Sequence, residues 1–246
     1  MKKRHVVWFY LGLLVLLNVL LLGVLFFQRK ISFNTPSEEK YPIRGIDVSN
    51  YQGEIDWQVM EDQGIRFAFI KATEGSGHID AQFHNNWENA KQTNLKIGAY
   101  HFFSYESSGK EQAKHFIEIV PRTEGMLPPV VDVEFYGDYV TKKPDVETTT
   151  ESLKEFLNEV ETYYGLKPII YATESSYSRF IRGTFDEYPL WIRNVYLSPN
   201  ISMPGKWVFW QYTSEGLMEG YKGTQKYIDL NVFYGSEKEW KSFTNS

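Results

Sequence analysis

Apolar and polar positions divide the chain into two regimes. Residues 6–27 are apolar apart from Asn18 and two glycines. As a helix, this stretch reaches about 33 Å, enough to cross a bilayer. Beyond residue 42 the pattern becomes short apolar runs, each ended by polar residues, alternating with stretches of helical period. Strands are expected at Ile43–Val48, Phe67–Ala72, Lys96–Phe103, Val130–Phe135, Pro168–Ala172, Leu190–Val195, Trp207–Tyr212 and Tyr227–Phe233. Helices are expected near Trp57–Gln63, Ala81–Thr93, Lys110–Val120, Thr149–Tyr163 and Ser175–Ile181. Thr148–Thr150 followed by Glu151 reads as the capped start of the fourth of these helices, and Gly165 with Pro168 as its stop.

Strands alternating with helices over about 200 residues point to an α/β fold, a parallel (β/α) barrel. The last stretch leaves little room for helices between strands, so the barrel is expected to be irregular there. No internal repeat or low-complexity segment interrupts it.

Charge sharpens the division. The first 30 residues hold five of the 26 basic residues and none of the 31 acids, leaving 21 basic residues against 31 acids, a net charge of −10, on the remainder. Lys2, Lys3 and Arg4 precede the apolar run, and Arg29 and Lys30 follow it, a bias that keeps the short N-terminal tail in the cytoplasm. The run is longer than a signal-peptide core and no small-x-small cleavage site follows it. The organisation read from this is a cytoplasmic tail (1–5), a single-pass transmembrane signal anchor (6–27), a linker (28–42) and an extracellular domain (43–246); a cleaved signal is the alternative. The acidic domain excludes nucleic acid as a partner, which needs a basic face. The chain has no cysteine, which excludes disulfides, a thiolate nucleophile and zinc–thiolate sites.

Candidate chemistry concentrates in Pro128-Pro-Val-Val-Asp-Val-Glu-Phe135. A strand turns alternate side chains to opposite faces, so Val130, Asp132 and Glu134 point one way and Val131, Val133 and Phe135 the other. Two carboxylates side by side on a buried strand are costly to desolvate. Cleavage of a glycosidic bond uses such a pair, one group donating a proton and the other stabilising or trapping the cation. Two solvated acids at a strand end are the plainer alternative. The other apolar runs end in Asp47, Lys71 with Glu74, Tyr100 with His101, Tyr171, Arg193, Gln211 with Tyr212, and Asp229. In a parallel barrel these ends meet on one rim, where active sites form.

The segments GIDVSNYQGEIDW (45–57), FAFIKATEG (67–75), IGAYHFF (97–103), PPVVDVEF (128–135), PIIYAT (168–173), WVFWQYT (207–213) and YIDLNVF (227–233) together resemble the glycoside hydrolase family 25 muramidases, the Chalaropsis-type lysozymes. The resemblance covers residues 43 to 235. It implies a flattened, irregular TIM-like barrel that cleaves the β-1,4 bond between N-acetylmuramic acid and N-acetylglucosamine in bacterial peptidoglycan, without a metal or other cofactor. Carried over by motif, the catalytic acids are Asp47, Asp132, Glu134 and Asp229, and the substrate-binding residues are Tyr100, Tyr171, Trp210 and Gln211. Arg193 departs from the pattern, standing where a small residue is expected. In the mechanism that follows, Glu134 is the general acid. Asp132 is either a nucleophile or, as we favour, the residue that orients the substrate's 2-acetamido group to trap the anomeric carbon. Asp47 and Asp229 hold the water or the acetamide. A catalytically silent peptidoglycan-binding module on the membrane is the alternative, while a chitinase is disfavoured because the run D-x-x-D-x-D-x-E is missing.

Other polar groups read as structural. His78, Asp80 and His84 lack a fourth ligand and are expected on solvated surface; His101 should face away from Tyr100; Trp57 and Trp87 are core residues on helical patterns.

Overall fold

The computed structural model describes residues 2–27, 34–203 and 205–245, so part of the expected linker, residues 28–33, lies outside the described residues. The chain divides into two units, Met1–Thr35 and Pro36–Ser246. The first contains one helix, α1 (Lys2–Phe27). Its segment Arg4–Leu25 has a mean hydropathy of 2.4 and buries nothing, which makes it long and apolar enough to cross a membrane. An N-terminal signal sequence can reach the same length and hydropathy.

The second unit runs β1 (Arg44–Val48), α2 (Trp57–Asp62), β2 (Ile65–Glu74), β3 (His78–Ile79), α3 (Phe83–Ala90), β4 (Lys96–Phe102), α4 (Gly109–Ile119), β5 (Val130–Val133), α5 (Val146–Tyr164), β6 (Ile169–Thr173), the short turn α6 (Glu174–Ser176), β7 (Leu190–Arg193), β8 (Phe209–Gly216), β9 (Ile228–Phe233) and α7 (Glu237–Thr244). Residues 36–42, expected as linker, pack within this unit. Tyr41 is buried against Trp207 and Trp210, and Arg44 donates to the Pro36 carbonyl at 2.8 Å.

Eight strands, in the order β1-β2-β4-β5-β6-β7-β8-β9, close into a barrel, with β3 added at the edge of β2. All the barrel pairings are parallel except those of β9, which runs antiparallel to both β8 and β1. This is the irregularity the crowded C-terminal stretch predicts: β8 and β9 are joined by 217–227, without the crossover helix a parallel pair requires.

Alternation sorts each strand onto two apolar surfaces. Ile46, Ala68, Ile70, Ala99, Val131, Val133, Ile170, Ala172 and Ile192 face the helices. Phe67, Phe69, Val130, Ile169, Trp191, Phe209 and Phe233 fill the barrel. The filling is largely aromatic. Phe69 stacks on Trp191 at 4.6 Å between centroids, Phe67 meets Phe209 at 5.0 Å, and Trp240 of α7 packs on Phe67 at 5.5 Å and Phe233 at 5.1 Å. Rings of this size fit because the strands beside β2 carry glycines that face them. A Cβ on Gly45 would lie 2.3 Å from the Phe67 ring, and one on Gly98 would lie 2.8 Å from the Phe69 ring.

Two details differ from expectation. Helix α5 starts three residues earlier than Thr148–Thr150, because Asp145 is the cap, its carboxylate accepting the Thr148 N–H at 2.9 Å. Asp competes well for this position, and Thr149 instead turns inward and is buried. Gly165 ends the helix at φ 71°, as expected. Helix α7 was not anticipated, although Ser236 and Glu239 form a capping box at its start.

Gly45→Ala forces the enclosed Phe67 ring to shift. It is expected to destabilise the domain by about 1–3 kcal/mol, seen as a Tm lowered by several degrees in differential scanning calorimetry. An unchanged Tm would show that the rings are not packed as described.

Candidate active site

Above the ring floor, one or two further inward residues from each strand make the wall of a cavity of about 660 Å³ at the C-terminal ends of the parallel strands. Asp47 comes from β1, Lys71 from β2, Tyr100 and Phe102 from β4, Asp132 from β5, Tyr171 and Thr173 from β6, Trp191 and Arg193 from β7, Gln211 from β8 and Asp229 from β9; Glu134 follows just past β5. All four predicted acids are therefore brought together, with both predicted tyrosines and Gln211. The antiparallel course of β9 still delivers Asp229, because it sits at the strand's start and pairs across from Asp47.

Trp210 is not brought to the cavity. Trp210 and Gln211 are neighbours on β8, so only one can face inward. Gln211 does, while Trp210 turns outward, 1% exposed, and donates its indole N–H to the Asn194 carbonyl at 2.8 Å. The tryptophan that lines the cavity is Trp191, whose inward direction follows from counting back two from Arg193.

A chain of hydrogen bonds fixes Asp47. Gln211 Nε2 donates to both carboxylate oxygens, at 2.9 and 3.1 Å, and Asn231 Nδ2 donates to Oδ1 at 2.6 Å. Tyr171 donates its hydroxyl to Gln211 Oε1 at 3.0 Å, and Trp191 donates its indole N–H to Asn231 Oδ1 at 2.8 Å. Because each ring supplies a donor, each amide must present its oxygen to the ring and its NH₂ to the acid. Asn231 was absent from the sequence-based set. Its position two residues after Asp229 on the same strand face was the available signal.

The acids share a low-dielectric pocket. Burial pushes Asp47 up to about 6, against the lowering effects of Asn231, Gln211 and the Arg193 charge. Burial raises Asp132 well above the usual carboxylate range, and the charges of Glu134 and Asp47 add to it. Asp132 is 8% exposed and its Oδ1 has no hydrogen-bond partner. Glu134 is raised chiefly by burial, with the Asp47 charge adding to it and Arg193 and Lys71 opposing. Carboxyl groups held above their ordinary range can stay protonated near neutral pH and donate.

The remaining polar residues hold the loops. His101 faces the helices, as expected. Its Nδ1 bonds Thr73 Oγ1 at 2.7 Å and its Nε2 bonds Gln112 Oε1 at 3.0 Å, while burial lowers it to about 3 and keeps it neutral. Asp80 is buried rather than solvated. Its carboxylate accepts the backbone N–H groups of Asn50 and Gln82, both at 2.9 Å, and so ties the loop after β1 to the start of α3. Among the described residues no group of acids and histidines has the geometry to hold a metal ion.

Comparison with known proteins identifies the family. The family model for glycosyl hydrolases family 25 matches residues 46–221. A solved family 25 glycosyl hydrolase from Bacillus anthracis superposes with a TM-score of 0.80 at 46% identity, covering 86% of this chain and 97% of that one. Lysozyme M1 of Streptomyces globisporus is 30% identical over 83% of this chain and 72% of its own, and YegX of Escherichia coli K12 is 38% identical over 87% and 78%. The chain belongs to glycosyl hydrolases family 25 and is a glycoside hydrolase.

Because Asp132 is raised in the folded state, folding takes up protons, and stability falls as pH rises from the unfolded-state value, about 3.9, towards the folded one. Asp132→Asn removes this loss. The variant is expected to melt above wild type at pH 7, with the difference closing by about pH 3–4, in thermal scans across pH. A variant less stable at pH 7 would contradict the burial described.

Proposed function

We propose that the protein is a peptidoglycan hydrolase, an N-acetylmuramidase that cuts the β-1,4 bond between N-acetylmuramic acid and N-acetylglucosamine. The observation that carries this reading is four acids gathered over an apolar floor, two of them, Asp132 and Glu134, on one face of one strand end. A relative named Lysozyme M1 supports the substrate class.

Glu134 is the general acid. It is the less enclosed of the pair, and its raised affinity for a proton suits donation to the leaving oxygen. Asp132 sits deeper, about 7 Å back along the strand. From there it orients the substrate's acetamido group, whose oxygen attacks the anomeric carbon. A carboxylate on the same face as the acid is poorly placed for attack from the opposite side. Its unpartnered Oδ1 suits an amide N–H as acceptor. Asp47, held by two amides, and Asp229 across from it position the water that completes hydrolysis. Tyr100, Tyr171 and Gln211 shape the sugar subsite.

Helix α1 tethers the chain to the cell membrane, with residues 36–246 on the wall side. The large domain carries the net acidic charge, and Lys2, Lys3, Arg4, Arg29 and Lys30 bracket the apolar run. Anchoring keeps the hydrolase on peptidoglycan near the cell that made it.

Two measurements test these statements. On purified peptidoglycan, Glu134→Gln is expected to lower kcat by about 10²–10⁴-fold, and mass spectrometry of wild-type products should find muramic acid at the new reducing ends. Equal clearing by both proteins removes Glu134 from its role, reducing glucosamine ends overturn the bond assignment, and no clearing by either favours a silent binding module. On cell fractionation, the full-length chain is expected in the membrane pellet, released by detergent and not by high salt; a shortened chain in the medium would mean a cleaved signal.

A further inference from the structure

The cavity contains two cations, and their situations differ. Lys71 is engaged: its ammonium contacts Glu74 at 2.7 Å and lies 4.9 Å from the centre of the Phe102 ring. Arg193, at the end of β7, lines the same cavity, and its guanidinium makes no hydrogen bond or ion pair among the described residues. Its charge is felt by Asp47, Asp132, Glu134 and Tyr171, so it faces the acid cluster, yet none of the acids pairs with it. The acids' own contacts account for part of this, because Asp47 takes its hydrogen bonds from Gln211 and Asn231.

A cavity walled by four carboxyl groups repels an anionic ligand, and a guanidinium left unpaired within it offsets that repulsion where it sits. Its five N–H donors form a planar fork that matches a carboxylate with two parallel hydrogen bonds. Strand β7 lies two strands from β5, about 10 Å around the wall at the usual spacing. That separation is on the scale of one substituted sugar. In the glycan, the anion a muramic acid can present beside the cut bond is the carboxylate of its 3-O-lactyl group, free only where no peptide stem is attached.

Building on the muramidase reading, we propose that Arg193 is a specificity-determining residue that binds the free lactyl carboxylate of peptide-free muramic acid. The protein then acts on denuded glycan in preference to stem-bearing glycan. Its substrate must come from an amide hydrolysis in which water breaks the bond between the lactyl carbonyl and the first stem residue, leaving a carboxylate on the sugar and an amine on the peptide.

The test compares two soluble glycan oligosaccharides, one with free lactyl carboxylates and one with the lactyl groups as neutral carboxamides, using the full-length chain in detergent. Wild type should favour the carboxylate form. Arg193→Ala should lower kcat/KM on it by about 10–100-fold, the range of one charge-assisted hydrogen-bonded contact, and on the carboxamide by less than about threefold. Arg193→Lys should recover part of the loss. Binding of both oligosaccharides by calorimetry to the Glu134→Gln protein, with and without Arg193→Ala, gives a readout independent of cleavage. Equal losses on both substrates, with the acidic limb of the pH–rate profile moved upward, would mean that Arg193 only keeps the neighbouring acids ionised, and would overturn the proposal. So would binding that ignores the carboxylate. If wild type cleaves neither substrate while binding still depends on Arg193 and the carboxylate, the muramidase reading fails and the carboxylate site stands.

Discussion

The side-chain hydrogen bonds around Asp47 join five of the eight barrel strands: β1 through the acid, β8 and β9 through Gln211 and Asn231, and β6 and β7 through Tyr171 and Trp191. This is where the barrel departs from parallel order, and the network spans both antiparallel joints. A buried carboxylate costs several kcal/mol unless donors meet it. The two amides are such donors, and each has its oxygen held by a ring: Asn231 by the Trp191 indole, which can only donate, and Gln211 by the Tyr171 hydroxyl. Placement of the other acids depends on this frame, because Asp229 lies opposite Asp47 on β9, and Asp132 is paired with Tyr171 across β5 and β6.

Beneath the network, the aromatic filling sets the dielectric in which the acids work. Phe69, Trp191 and Phe209 leave no polar layer below the carboxyl groups, so burial heads the causes that raise Asp47, Asp132 and Glu134. The same burial that favours proton donation costs the folded state at neutral pH. Lys71 and Arg193 limit that cost without neutralising it.

Much of this was legible in the chain. The period-two pattern located all eight barrel strands, because each has one face toward rings and the other toward helices, and a polar residue closes each run where the wall of the cavity begins. The inward direction of Asp47, Asp132, Glu134 and Asp229 follows from the same parity. What escaped were choices between neighbours. Trp210 and Gln211 are adjacent and both plausible in a sugar site, and only the strand phase separates them. Asn231 looked like an ordinary strand residue, since its importance lies in which way its amide is turned, and that is decided by Trp191, 40 residues earlier in the chain. Asp145 outcompeted the threonines for the start of α5 because a carboxylate serves a helix N-terminus better than a hydroxyl placed one turn further in.

The ring-filled interior has a geometric consequence for a polymer. A barrel blocked by Phe67, Phe69, Phe209 and Trp240 is a cup and not a tunnel, so no chain can be threaded through it. A long glycan can meet the acids only by lying across the brim, at any point along its length. Both severed ends must then leave by the side on which the chain arrived.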